Sequence, residues 1–237
     1  SPALRTAILW EGLDQPLNVV RTRVEPSLSE LDLSGGSGQL DPATLEEIQR
    51  FHRRDPYDLA RAPLMRCTLA TLGPQRHVFV WGAHHLVMDR WSYGILTEEL
   101  RILYDALASG RSAELPEPGR FRDYLAWLND RDSRETERFW RDHLDGVSGP
   151  TRWVEGHVAD HRGGRTLTAR VLEAAAARRL EETAYSWKLT PASLILGATG
   201  LFLGRRARTS DPVAGLTVSG RPPELSGVEQ TIGSFVN

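Results

Sequence analysis

The sequence predicts an α+β fold, on three observations. Its clearest β-like runs stand back to back across a short break, several other segments carry apolar residues at helical spacing, and no unit repeats along the chain. The chain has 237 residues, of which 40% are hydrophobic and 25% charged. That is ordinary globular composition and enough chain for one large domain or two smaller ones.

The elements follow in order. Leu17, Val19, Arg21 and Arg23 alternate, so residues 17–25 read as a strand. "SGGSGQLDP" is a loop. It leads into a helix, "DPATLEEIQRFHRR", with Asp41 as N-cap and Pro42 at the first helical position. "LMRCTLATL" and "RHVFVWGAHH" flank Gly73-Pro74-Gln75 and form a hairpin. "WSYGILTEELRILYDALASG" has helical spacing and is closed by Gly110. "FRDYLAWLND" and "SRETERFWRDHLDG" are two further helices. Ser133 caps the second, whose apolar face is Phe139, Trp140 and Leu144. Residues 146–164 are rich in Gly and Pro and read as a linker. A strand "RTLTARVL", an Ala-rich helix over 173–187, a helix over 191–206 capped by Thr190 with Pro191, and a strand "PVAGLTV" complete the chain.

Several function classes are excluded or left without support. A net charge of −2 offers no global attraction to nucleic acid or to an anionic membrane. No apolar run reaches the ~18 residues of a spanning helix, and the start has no signal-peptide pattern. The single cysteine, Cys67, rules out an internal disulfide, suits a cytoplasmic setting and reads as a buried apolar residue. "GGSG" lacks the Lys and Ser/Thr of a phosphate loop, "GRRART" is a solvated basic run at a helix C-terminus, and no G-x-S-x-G occurs. The chain begins without Met and ends at "TIGSFVN" inside a β-like run, so it reads as a segment of a longer polypeptide.

The chemistry concentrates in "HHLVMDRWS", residues 84–92. His84 and His85 close the second hairpin strand, where side chains alternate faces, so one can face a cleft while the other packs behind it. Asp89 follows one loop later, placed to orient a turn or an arginine. A structural histidine pair is the bland alternative. A zinc site fits poorly, because adjacent histidines rarely ligate one ion and no second ligand cluster exists.

These residues resemble the HHxxxDG motif of condensation domains from nonribosomal peptide synthetases. "ALRTAI" resembles the end of that family's RHExLRTxF segment, and "PYDLARAPLMRCTL" its stretch before the central hairpin. "FRDYLAWL" is similar to the YxDFAxW-type segment, and "IGSFVN" to IGxFVN. The resemblance spans nearly the whole chain. It implies a two-lobed fold like chloramphenicol acetyltransferase, truncated at both ends: residues 1–150 as most of the N-terminal lobe, and 151–237 as a linker and the start of the C-terminal lobe.

The resemblance also implies a reaction. The acceptor's α-amine attacks a donor thioester, both substrates riding on phosphopantetheine arms, so no cofactor is bound directly and no metal is needed. The implied partners are upstream and downstream peptidyl carrier proteins and an adjacent adenylation domain, in antibiotic or siderophore synthesis; nucleic acid and membrane are not among them. His85 is the implied catalytic residue nearest the amine, His84 its support, and Asp89 a structural carboxylate held by Arg5 or Arg221. Arg90, Trp91, Ser92, Ser219 and Arg221 are the implied tunnel residues. A backbone N–H in the turn after Asp89 is a candidate donor to the developing oxyanion.

Arg90 departs from the pattern, because the family has glycine there. Glycine permits φ > 0 or close approach of substrate, and arginine brings bulk and a fixed positive charge beside His85. One expectation is therefore a narrowed acceptor side; the other is that Arg90 turns away and pairs with Asp89 or another carboxylate. A silent scaffold domain and an epimerisation domain of the same fold are the alternative functions.

Overall fold

The computed structural model describes residues 1–147, 149, 151 and 170–236. The chain divides into two compact units: Ser1–Arg131 with Thr217–Asn237, and Asp132–Leu216. Residues 217–237 thus fold with the N-terminal unit, although the expected grouping put them with 151–237.

In the first unit, β1 (Thr6–Leu9) pairs antiparallel with β2 (Leu17–Val20). β2 is the first part of the strand expected over 17–25. After Val20 a last backbone bond runs from Arg21 N–H to the Arg5 carbonyl (2.8 Å), and Pro26, which has no N–H to donate, lies just beyond.

β3 (Leu28–Asp32) has no counterpart among the expected strands. All five of its residues are exposed, so it lacks the apolar alternation that marks a half-buried strand. It is the edge of a sheet ordered β3-β4-β5, and it runs parallel to β4 (Met65–Gly73). The crossover between them contains α1 (Pro42–Arg54), which begins where Asp41 accepts from the backbone N–H groups of Ala43 and Thr44, both at 3.0 Å. α1 buries Ile48 and His52, and His52 Nε2 lies 2.8 Å from Thr68 Oγ1 on β4. β5 (Arg76–Ala83) completes the expected hairpin with β4.

α2 (Arg90–Ala108) starts one residue earlier than its apolar spacing suggests, because Asp89 is its N-cap. Gly110, at φ +66°, turns the chain away after its last turn, as expected of a glycine past a helix C-terminus. α3 (Phe121–Asn129) follows. One core cluster joins Ala3, Ile8, Leu64, Val87, Met88 and Ile232. A second joins Tyr124 of α3 to Val228 and Phe235. Both clusters therefore depend on "IGSFVN".

In the second unit, α4 (Ser133–His143) is capped by Asp132, not by Ser133, because Asp132 Oδ1 accepts from Arg134 N–H at 2.9 Å. Phe139 and Trp140 lie against each other, ring centroids 5.3 Å apart, and stay about half exposed. α5 (Ala174–Ser186) and α6 (Pro191–Ala207) are the remaining helices, and Thr190 caps α6 through Ser193 N–H (3.1 Å). The expected strand over 212–218 does not form; an isolated bridge between Ser219 and Val236 is the nearest β pairing to it. Most of the expected linker, and residues 165–169 of the expected strand over 165–172, lie outside the described residues. The mixture of antiparallel and parallel strands with helices is the predicted α+β class.

Candidate active site

The site is built around Asp89. Its backbone is extended and its side chain reaches forward, so Oδ1 accepts from Ser92 N–H (2.8 Å) and Ser92 Oγ–H (2.7 Å). Behind the carboxylate stands Arg221, whose Nη2 lies 3.1 Å from Oδ1 and 3.2 Å from Oδ2. The side chains of this pair are 5% and 7% exposed, so the ion pair is buried. Arg221 Nη1 donates to the carbonyls of Val228 and Thr231, and its guanidinium lies 3.9 Å from the Phe235 ring centroid. Burial alone would raise the Asp89 carboxyl. The Ser92 hydroxyl and N–H, the Arg221 charge and the Phe235 N–H together outweigh it and hold the carboxyl below its usual value.

Arg5, the other expected partner of Asp89, is engaged elsewhere: it donates to the carbonyls of Arg21 and Thr22 beside the β1–β2 pair. Ser92, expected to line a tunnel, is fully buried. Its hydroxyl donates to the Gly233 carbonyl (2.9 Å) or to Asp89, and it accepts from Gly233 N–H (3.1 Å). Asp89 N–H also bonds the Gly233 carbonyl (3.1 Å). Gly233 is thus wedged against the motif, and a Cβ there would sit 2.2 Å from Phe121 Cδ2. Gly233→Ala is expected to lower stability by about 1–3 kcal/mol through overpacking, measured as a lower urea midpoint with an unchanged m-value.

Trp91 is half exposed and donates its indole N–H to the Glu229 carbonyl (2.9 Å). Ser219 is exposed and bridges to Val236. Trp91 also borders the Asp89–Arg221 latch, its ring centroid 5.7 Å from the Arg221 guanidinium.

The histidines differ from expectation in one respect. β5 ends at Ala83, so strand alternation does not set their directions. They enter a turn closed by Val87 N–H to the His84 carbonyl (3.1 Å). The His84 ring is half-buried edge-on to Tyr57, whereas His85 is exposed. One histidine packs and the other faces out, but a turn makes the division. Among the described residues, no three His, Cys, Asp or Glu side chains converge as a metal site.

Arg90 is the first residue of α2 and is exposed. Its φ is not positive: among the described residues, the non-glycine positions with positive φ are Lys188 and Arg208. A glycine is therefore not required here for backbone reasons. Nor does Arg90 pair with Asp89, whose carboxylate is taken by Arg221 and Ser92. Among the described residues, no acidic group pairs with the Arg90 guanidinium.

A family model for the condensation domain matches residues 1–237. The chain belongs to the condensation-domain family. It is 34% identical over 241 residues to a linear gramicidin synthase of Brevibacillus parabrevis, covering 99% of this chain and 3% of the synthase. Surfactin synthase subunit 3 of Bacillus subtilis is 28% identical over 234 residues, covering 98% of this chain and 18% of that one. The first condensation domain of the calcium-dependent antibiotic synthetase, in complex with a substrate analogue, matches at TM-score 0.73 and 25% identity, over 100% of this chain and 56% of that one. The epimerization domain from the third module of tyrocidine synthetase B matches at TM-score 0.80 and 24% identity, a likeness of fold alone. This chain therefore spans about half of a solved condensation domain and a small fraction of the curated synthases.

The residues that sequence reasoning missed are Ser92 in its buried role, Gly233 and Phe235. "IGSFVN" was visible as a motif. Its contact with "DRWS" bridges more than a hundred residues, and no local period encodes such a pairing.

Proposed function

We propose that this chain belongs to a domain that forms a peptide bond between a donor acyl thioester and an acceptor aminoacyl amine. Both would be carried on phosphopantetheine arms of carrier proteins flanking the domain, beside an adenylation domain. The observation that supports this best is the division of labour within the motif. Asp89 is buried and fully engaged, His84 is packed, and of the three expected catalytic side chains only His85 is exposed. A scaffold role does not need an exposed imidazole held on a clamped turn.

In the step itself the acceptor nitrogen bonds the thioester carbon and the carbon–sulfur bond breaks. The amine's extra proton passes to His85, and the donor pantetheine leaves as a thiolate that takes up a proton. The first N–H groups of α2, at Arg90 and Trp91, have no intrahelical acceptor and suit the developing oxyanion. His85 need not make the amine nucleophilic beforehand. A free α-amine has a pKa near ~8, so the neutral form at pH 7 costs only about 1.4 kcal/mol.

The test loads defined aminoacyl groups on both carriers and follows them by intact-protein mass spectrometry. Dipeptide on the acceptor carrier is the expected product. A donor residue inverted at its α-carbon without transfer would indicate epimerisation, and no change on either carrier a silent scaffold.

Arg90 restricts the acceptor in this reading, because an exposed guanidinium at the start of α2 adds bulk and charge beside the reacting amine. In Arg90→Gly, bulky acceptors are expected to gain roughly tenfold or more relative to small ones, the scale of a lost steric discrimination. Small and bulky aminoacyl carriers measured side by side check this, and an unchanged ratio overturns it.

A further inference from the structure

The latch explains how Asp89 is fixed but leaves the histidine end of the motif without a support. That end rests on a different set of residues. The His84 Nδ1 accepts the Leu86 N–H at 3.1 Å, which fixes the turn that carries His85. A ring nitrogen that accepts a hydrogen bond carries no proton, so this bond requires the neutral tautomer with its proton on Nε2. Tyr57 meets the ring edge-on, centroids 5.7 Å apart at 85°.

Tyr57 is itself held twice. Its hydroxyl donates to the Gly82 carbonyl (3.2 Å), and the Arg66 guanidinium lies 4.3 Å from its ring centroid. Arg66 is pinned in turn, because it donates to the carbonyls of His52 (2.7 Å), Asp55 (2.6 Å) and Pro56 (3.2 Å) at the end of α1. Burial raises the Tyr57 phenol above its usual value, so the hydroxyl stays a donor at any pH where the protein works. A cleft of about 400 Å³ lies alongside, lined by His52, Asp55, Tyr57, Gly82 and His84 but not by His85.

We propose that Arg66 and Tyr57 are positioning residues for the condensation reaction: stacked guanidinium on phenol, they hold the His84 ring in one tautomer and orientation, and so present His85. The chain of contacts runs from the C-terminus of α1, through β4, to the turn after β5. This rests on the peptide-bond-forming reading for its kinetic consequence, but not for its structural one. A looser turn still binds both carrier arms but holds His85 in its productive geometry for less of the time. The loss should therefore fall on kcat and leave KM alone.

The test uses the complete condensation domain within its synthetase module, with histidine rings labelled with nitrogen-15. In the parent protein the His84 ring is expected to show the Nε2–H tautomer. Tyr57→Leu should average the two tautomers and lower kcat about tenfold, with KM for the acceptor carrier within about twofold. Tyr57→Phe keeps the ring and should recover most of the turnover and the parent tautomer. Should Tyr57→Leu fail to fold, Arg66→Gln frees the phenol while leaving it in place, and the same tautomer change with a smaller kcat loss is expected. A folded Tyr57→Leu or Arg66→Gln protein with the parent tautomer and turnover overturns the proposal. If the parent module forms no peptide bond at all, the functional reading falls, and the tautomer measurement still decides the clamp.

Discussion

Replacing His85 with alanine in the complete domain is expected to lower dipeptide formation by about 10²–10⁴-fold while the protein stays folded. That range is what a positioned proton acceptor contributes in general acid–base catalysis. The folding half of the expectation rests on exposure. His85 lies in a turn, and the residues that hold that turn are Val87, Leu86 and the His84 ring. Removing an exposed imidazole leaves no buried group unpaired, so thermal stability should stay close to that of the parent. His84→Ala should behave differently, because it deletes the acceptor for Leu86 N–H and the ring against Tyr57, and both stability and turnover should fall. Turnover from carrier-loaded substrates together with a melting curve for each variant separates the two. Parent-level turnover in His85→Ala, with loss in a folded His84→Ala, would reverse the roles of the histidines.

The packed-and-exposed division of the two histidines was partly legible in the sequence, and the part that was not has a physical cause. The two adjacent histidines implied that one works and the other supports. Strand alternation was the wrong reason, because β5 stops at Ala83 and a turn divides them. The helices α1 and α6 were legible to the residue at their starts, since Asp41 and Thr190 are N-caps followed by proline. β3 was invisible for the opposite reason: an exposed edge strand needs no apolar face, and "LSELD" has none. Arg221 could be proposed as the partner of Asp89 only beside Arg5. Choosing between them requires knowing that "SGR" and "IGSF" come back to the motif, and only the tertiary structure carries that. The Arg90 question changed in kind. Sequence raised it both as a backbone and as a side-chain question, and the helical conformation at this position leaves only the side-chain question.

Asp89→Ala is expected to cost about 3–5 kcal/mol and to yield little soluble protein, because it leaves the Arg221 charge buried without its partner. The removed carboxylate accepts from Ser92, Arg221 and Phe235 N–H, so several buried donors lose an acceptor together. It also caps α2, whose first turn contains no acidic residue to compensate. Asp89→Asn keeps the shape and one acceptor oxygen but not the charge, and should fall between alanine and the parent. Urea unfolding of each variant, alone and combined with Arg221→Met, measures the pair. A coupling energy near zero between positions 89 and 221 would show that the latch contributes nothing to folding. The same pair sets an acid limit. The Asp89 carboxyl lies below its usual value in the folded state, so its stabilisation is fully present above the unfolded value. It is lost as pH falls through the lower folded value. In Asp89→Asn this titration is absent. The parent should therefore lose stability to acid more steeply than Asp89→Asn below the ordinary carboxylate range, and the two urea midpoints should converge there. Midpoints that stay equally far apart down to the lowest pH at which both fold would mean that Asp89 is not the group that titrates.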